Sequence, residues 1–304
     1  MSGPLVFDVG TMRRQRDRHA AGLIADDFLL GEMVERLVER LDDIRREFVD
    51  VLDLGGRHGP LAEALRRREP RTRAVVLDPS AKLCTAADAP SVVADLETLP
   101  FRPASFDAIV SAGSLHHVND LPGLLRQARD CLKPDGLLLL AFAGGETLSE
   151  LRHALMAAEL DVTGGAGPRV APFVDVRDLG ALLQRAGFAL PVVDCDRLTL
   201  TYADPLALMA DLRRAGEANV LRERPRTPLR RDVLARALEH YAARDTDPRG
   251  RIKVTVDLLF ATAWAPHPDQ QQPARRGSGT VNLAKAMGVD PDILSGKAQR
   301  SNDE

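Results

Sequence analysis

Apolar and polar positions recur along this chain with two different periods. Met33, Val34, Leu37, Val38 and Leu41 fall at helical spacing, with Glu32, Glu35, Arg36, Glu39 and Arg40 on the other face, which predicts an amphipathic surface helix. Short apolar runs follow. Phe48–Leu54 runs into glycines, Ala74–Leu77 ends at Asp78, and Ser91–Ala94, Phe106–Ser111 and Leu137–Phe142 come after it. Helical stretches separate them, Leu61–Arg68 before Pro70 and a Leu121, Leu124, Leu125, Ala128, Leu132 stripe closed by Lys133-Pro134-Asp135-Gly136. Strands apolar on both faces are covered on both, and their alternation with helices predicts βαβ units in a mostly parallel sheet.

Further along, Asp175–Ala186 reads as a helix with Val176, Leu179, Leu182 and Leu183 inward and Gly187 as its stop. Val192–Thr201 and Ile252–Ala265 are the last strands, expected to pair as a terminal hairpin. Between them, residues 204–244 are predicted helical, with Thr227-Pro228 as a cap and first turn and Val233, Leu234, Ala237, Leu238 and Tyr241 inward. The expected fold is α/β and Rossmann-like: seven strands, mostly parallel, helices on both faces and a helical cap. The expected organisation is a basic segment and helix over 1–46, the sheet domain over 47–266 with 204–244 inserted, and a flexible tail over 267–304. In Met12–His19 (MRRQRDRH), four arginines read either as a solvated mobile end or as a contact for an acidic partner.

Composition narrows the function classes. With 304 residues, 44% hydrophobic and 28% charged, the chain is an ordinary globular protein. Lys plus Arg is 41 against 44 Asp plus Glu, a net charge of -3, and aromatics are 4%, so neither an electrostatic grip on nucleic acid nor a stacking platform is expected. Cys84, Cys131 and Cys195 stand far apart, which argues against a disulfide framework or structural zinc and favours a reducing cytoplasm. Met1–Thr11 lacks the pattern of a secretory signal, and the longest apolar run, Leu137–Ala143, falls far short of the roughly 20 residues of a membrane helix. The excess of arginine over lysine suits a GC-rich bacterial genome.

The strongest chemical signal is Val51-Leu52-Asp53-Leu54-Gly55-Gly56-Arg57-His58-Gly59, a strand running into a glycine-rich turn that opens a helix. Such turns bring backbone N–H groups close to a ligand. Asp78 ends the second strand 19 residues after Gly59, where a carboxylate can accept ribose hydroxyls, and Asp95 ends the third, near an adenine amino group. Each is otherwise a helix cap or turn residue. His116 and His117 follow the fourth strand at the ligand edge of such sheets, and His116 is either a substrate contact and base or a helix-start residue. Glu146, Glu150 and Arg152 either close the pocket as a charge network or form a solvated face. No HxxxH, HExxH or 2-His-1-carboxylate spacing stands out, so no metal is expected.

These motifs resemble the class I S-adenosylmethionine (SAM) methyltransferases from about Val49 to Ala143. Leu99-Pro100-Phe101 with Ser105-Phe106-Asp107, Leu115-His116-His117-Val118 and Leu132–Gly136 resemble the type 11 branch. Phe7-Asp8, Asn119–Pro122, Gly144–Arg152 (GGETLSELR), Ala171-Pro172-Phe173 and Gly216-Glu217-Ala218-Asn219 extend the likeness, over residues 7–287, to the methyltransferase-like assembly factor of respiratory complex I and its bacterial relatives. The carrier-protein malonyl methyltransferases are more distant. The resemblance implies SAM as cofactor across the ends of strands one, two and four. Asp53 opens the motif, Gly55, Gly56 and Gly59 shape the loop, Asp78 holds the ribose, Asp95 and Leu96 the adenine, and Ser111, Ala112 and Gly113 the methionine side. Arg57 replaces the middle glycine of the motif, and either pairs with the ligand carboxylate, points away, or weakens binding. His117 replaces a usual aromatic and reads as packing. The implied activity is methyl transfer to an unidentified protein or small-molecule acceptor. The alternative is a complex I assembly role in which a subunit is hydroxylated on arginine or chaperoned, with localisation in the cytoplasm or peripheral to the inner membrane.

Overall fold

The computed structural model describes residues 5–25, 27–271 and positions 278, 286 and 288. The chain divides into two units, Met1–His267 and Pro268–Glu304. The expected flexible tail lies almost wholly outside the described residues.

Seven strands form one sheet: β1 (Asp50–Leu54), β2 (Arg73–Asp78), β3 (Ser91–Val93), β4 (Phe106–Ala112), β5 (Leu132–Gly144), β6 (Ala189–Tyr202) and β7 (Ile252–Trp264). Their order is β3-β2-β1-β4-β5-β7-β6. The first five are parallel, and β7 runs antiparallel between β5 and β6. The Rossmann-like fold with a terminal hairpin is therefore the observed one.

Strand β5 shows why both faces are covered. Leu137, Leu139 and Ala141 join one apolar cluster, while Leu138, Leu140 and Phe142 join the other. Successive side chains point to opposite faces, so an unbroken apolar run supplies both layers. The first layer holds α2 (Phe28–Arg40), α3 (Pro60–Arg68), α6 (Ser149–Thr163), α8 (Pro205–Arg214) and α9 (Arg231–Arg244). The second holds α5 (Leu121–Cys131) and α7 (Val176–Arg185). Asp120, Asp175 and Asp204 each cap the helix that follows by accepting a backbone N–H of its first turn. The two edge strands, β3 and β6, alternate half-buried and exposed positions. No helix among the described residues is long and apolar enough to cross a membrane.

Two expectations are corrected. The basic run Met12–His19 is not a mobile end: it lies inside α1 (Val9–Ala25), followed in chain order by α2, with α4 (Ala81–Ala86) packed beneath it, and Arg13, Arg14 and Arg18 stay exposed while Arg16 is buried. Asp8 starts α1 by accepting the Thr11 backbone N–H and hydroxyl, bonds that pull its carboxyl down to about 2. Phe7 bridges to Leu221, and Asn119 accepts the Phe7 N–H, so the N-terminal segment is tied to two distant loops. The helix expected from Thr227-Pro228 begins instead at Arg231. Leu229 packs on the core and Arg222 donates its backbone N–H to the Val6 carbonyl, and the stretch between runs through turns and bends.

Leu139 is completely buried in the central parallel strand. Leu139→Ala is expected to lower the unfolding free energy by about 2–5 kcal/mol, through lost apolar contact plus an unfilled cavity. Urea denaturation measures this, and a loss below about 1 kcal/mol would place the folding core elsewhere.

Candidate functional site

The carboxyl ends of β1, β2 and β4 meet at the Gly55–Gly59 turn. Gly55 adopts φ 68°, donates its N–H to Leu77 at 2.7 Å, and a Cβ there would stand 2.5 Å from the Ser114 Cβ, so only glycine fits. Ser114 closes the turn from β4 by donating its hydroxyl to the Gly55 carbonyl at 2.6 Å. Gly59 caps α3, whose N-terminus lies behind the turn.

Asp53 sits behind this turn rather than on its open side. It is completely buried, one oxygen accepts the Ala62 N–H at 3.1 Å, and the other has no partner. Burial pushes its carboxyl up to about 7, with the Asp78 charge adding to the rise.

Asp78 is also fully buried. One oxygen accepts Arg16 Nη1 at 3.0 Å and the Arg57 backbone N–H at 3.2 Å, and the other accepts the Ser80 N–H at 2.8 Å. Arg16, 2% exposed, also reaches the Ser114 hydroxyl at 3.2 Å. Asp17 takes the Ser80 hydroxyl at 2.5 Å. Helix α1 thus lies across the end of β2, joined to it by two consecutive charged residues. Of the other expected contacts, Asp95 is exposed, and Leu96 is buried near the Gly55 Cα face. Ser111 is buried with its hydroxyl unpartnered, Ala112 is buried, and the Gly113 carbonyl faces Arg57.

Arg57 is turned into the protein and away from solvent, at the edge of a cavity. It is 4% exposed in the left-handed conformation (φ 53°). Its guanidinium donates to Asp27 at 2.5 Å, to the Gly113 carbonyl at 2.7 Å and to Glu217 at 3.0 Å. Three acceptors spread over three segments match its fork, which is what makes a buried guanidinium tolerable.

Glu217 joins this network to the histidines. Its Oε2 lies 3.0 Å from His116 Nε2 and 3.7 Å from His117 Nδ1. Burial pushes the Glu217 carboxyl up, but the histidines and Arg57 outweigh it and hold the group well below the usual carboxylate range. His117 is 94% buried, stacks edge-on with Phe7 at 5.3 Å, and burial drives its imidazole down to about 3. Its packing role is therefore joined to a polar one.

A cavity of about 570 Å³ opens beside this cluster. Its walls are mostly apolar, with Phe28, Leu151, Phe173 and Leu208 among them, and Asp27, Arg57, His116 and Glu217 set at one end. The expected charge network of Glu146, Glu150 and Arg152 does not form. Glu150 accepts the Thr255 N–H and hydroxyl, while Arg152 donates to the Thr147 and Ala171 carbonyls, so both serve as struts between β7 and the loops. Arg16, Asp27 and Glu217 were not singled out from sequence as site residues. Glu217 stood in the Gly216–Asn219 string, which signalled importance without a role.

Comparison with known proteins shows likeness over most of the chain. Residues 14–191 match the family described as a methyltransferase domain. The mitochondrial arginine-hydroxylase NDUFAF5 of Danio rerio is 38% identical over 93% of this chain and 89% of its own length. The human protein of the same name is 38% identical over 89% and 79%. Malonyl-(acyl-carrier protein) O-methyltransferase of Laribacter hongkongensis is 34% identical over 88% and 92%. Among solved structures, Haemonchus contortus phosphoethanolamine N-methyltransferase 2 in complex with S-adenosyl-L-methionine has a TM-score of 0.53 at 16% identity, over 84% of this chain and 60% of that one. The YcgJ protein of Bacillus subtilis has a TM-score of 0.53 at 17% identity, over 79% and 99%.

Asp53 provides a test of the turn's electrostatics. Its folded carboxyl titrates near 7 against about 3.9 when unfolded. The raised value means that folding takes up a proton in this window. Its stabilising contribution is full below about pH 4 and is lost as pH rises to about 7. Asp53→Asn should therefore gain on the wild type across that interval and run parallel to it above. Urea melts at several pH values measure the gap, and a pH-independent gap would remove the assignment.

Proposed function

Because the chain belongs to the methyltransferase-domain family, we propose that it is a SAM-dependent methyltransferase whose acceptor enters the cavity beside His116. The observation that carries this reading is the fully buried Asp78 carboxylate at the end of β2, beside a turn with no room for a side chain at Gly55. When bound, SAM supplies an electrophilic methyl group on a sulfonium centre.

The residue types fit that cofactor. A carboxylate stands where ribose hydroxyls are held, the turn and the N-terminus of α3 lie next to it, and the buried Ser111 hydroxyl has no partner. Asp95 and Leu96 flank the adenine position, and Ala112 and Gly113 the methionine side. One condition attaches: Arg16 holds the Asp78 oxygen, so it must withdraw before a ribose can take its place. Arg57 stays paired within the protein and leaves its backbone N–H on Asp78.

On the acceptor side, holding the nucleophile in line is most of the catalysis. Donation from His116 Nε2 to Glu217 leaves Nδ1 as an acceptor; that nitrogen is buried without a partner, so the ring must rotate before it takes a proton from the attacking group. Glu217 fixes that tautomer.

A second reading is favoured by the relatives that cover most of the chain at 38% identity and are named arginine-hydroxylases. In that reading the acceptor is an arginine of a protein partner, a complex I subunit, and the cavity's acidic end receives its guanidinium. A bacterial cytoplasmic site, peripheral to the inner membrane, suits three cysteines that are all free thiols.

Calorimetric titration with SAM tests the first reading. Asp78→Ala should weaken binding by about 1.5–3 kcal/mol as charged hydrogen bonds are lost, whereas Arg16→Met should bind more tightly because nothing has to be displaced. Equal affinity in Asp78→Ala and wild type would sink the assignment. Mass spectrometry of complex I subunits from a deletion strain then separates the readings, by a missing methyl group or a missing oxygen atom.

A further inference from the structure

We propose that His116, His117 and Glu217 form a binding site for one divalent transition-metal ion at the inner end of the cavity. The three side chains come from two places in the chain. The histidines occupy the short 3-10 turn Leu115–His117 after β4, and Glu217 follows α8. One ligand atom from each lies within 4.8 Å of the others.

The distances suit a shared ion. Bonds of about 2.1 Å place neighbouring ligand atoms roughly 3.0–3.4 Å apart in octahedral or tetrahedral geometry. Glu217 Oε2 stands 3.0 Å from His116 Nε2, within that range, and 3.7 Å from His117 Nδ1, a few tenths of an ångström beyond it. The two histidine nitrogens lie within 4.8 Å of each other, so the His117 ring has to turn inward to close the set.

An independent observation points the same way. His117 Nδ1 is buried, directed at Glu217, and without a hydrogen-bond partner. Leaving a buried ring nitrogen unpaired is costly, and a metal ion satisfies it.

Two imidazoles and one carboxylate form a donor set for Zn²⁺, Fe²⁺ or Co²⁺, and three ligands leave coordination positions free on the cavity side. The site does not rest on the cofactor reading, because methyl transfer from a sulfonium needs no metal, so SAM binding and ion binding can fail separately; an ion on His116 Nε2 replaces the proton shared with Glu217, and the metal-bound state excludes the base role of His116.

Co²⁺ and Zn²⁺, added to chelator-treated full-length protein, are the probes. Wild type should bind one equivalent of Zn²⁺ by calorimetry and develop visible d–d absorption with Co²⁺. His117→Phe keeps a ring against Phe7, and Glu217→Gln keeps the hydrogen-bonding shape. Each should weaken binding at least tenfold while circular dichroism stays unchanged, and His240→Ala, at a surface ion pair, should bind as wild type does. X-ray absorption of the Zn²⁺-loaded wild type should report two imidazoles in the first shell, a readout that needs no variant to fold. Absence of binding, unchanged binding in both site variants, or a shell without two imidazoles overturns the proposal.

Discussion

Two arginines buried at the carboxyl end of a parallel sheet set the terms for the rest of this structure. A guanidinium cannot be taken from water uncompensated, and removing one partner of a buried ion pair typically costs about 3–5 kcal/mol. Arg16 is matched by Asp78 and Arg57 by Asp27 and Glu217, and these partners come from β2, the start of α2 and the loop after α8. The pairs therefore join elements that lie far apart in the sequence. They hold α1 over the sheet, and they place Glu217 where the histidines meet it.

The remainder of the site follows from the sheet. Parallel strands end together, so the turn after β1, the acid after β2 and the histidines after β4 gather without any one of them being near the others in sequence. Glycine at 55 lets β4 approach through Ser114, and that approach is what brings the residues after β4 up to the turn. The apolar walls of the cavity come from α2, α6 and α8, which also cover the first face of the sheet, so core packing and acceptor space are built from the same helices. Many chemistries are grafted on this scaffold, and the local side chains decide among them. Here those side chains are a buried carboxylate under an arginine, and a His-His-Glu cluster at one end of an apolar cavity.

The strands, their parallel arrangement and the glycine turn were legible because each rests on local pattern. A run such as Leu137–Phe142 must be covered on both faces, and a β–turn–α unit with an acid at the next strand end leaves few other topologies. Asp78 was legible for the same reason. The basic run Met12–His19 was misread because its arginines look alike in sequence. One of them, Arg16, is buried only because Asp78 and Ser114 lie beneath it.

What the sequence by itself determined is the fold, the turn and the acid, since hydrophobic period and glycine chemistry act between near neighbours. Only the tertiary structure decided that Arg16 covers Asp78, that Arg57 turns inward, and that Glu217 meets His116. These contacts join residues 62, 160 and 101 positions apart. No spacing rule encodes such pairs. They form because a buried charge takes whatever opposite charge the folded backbone brings within reach.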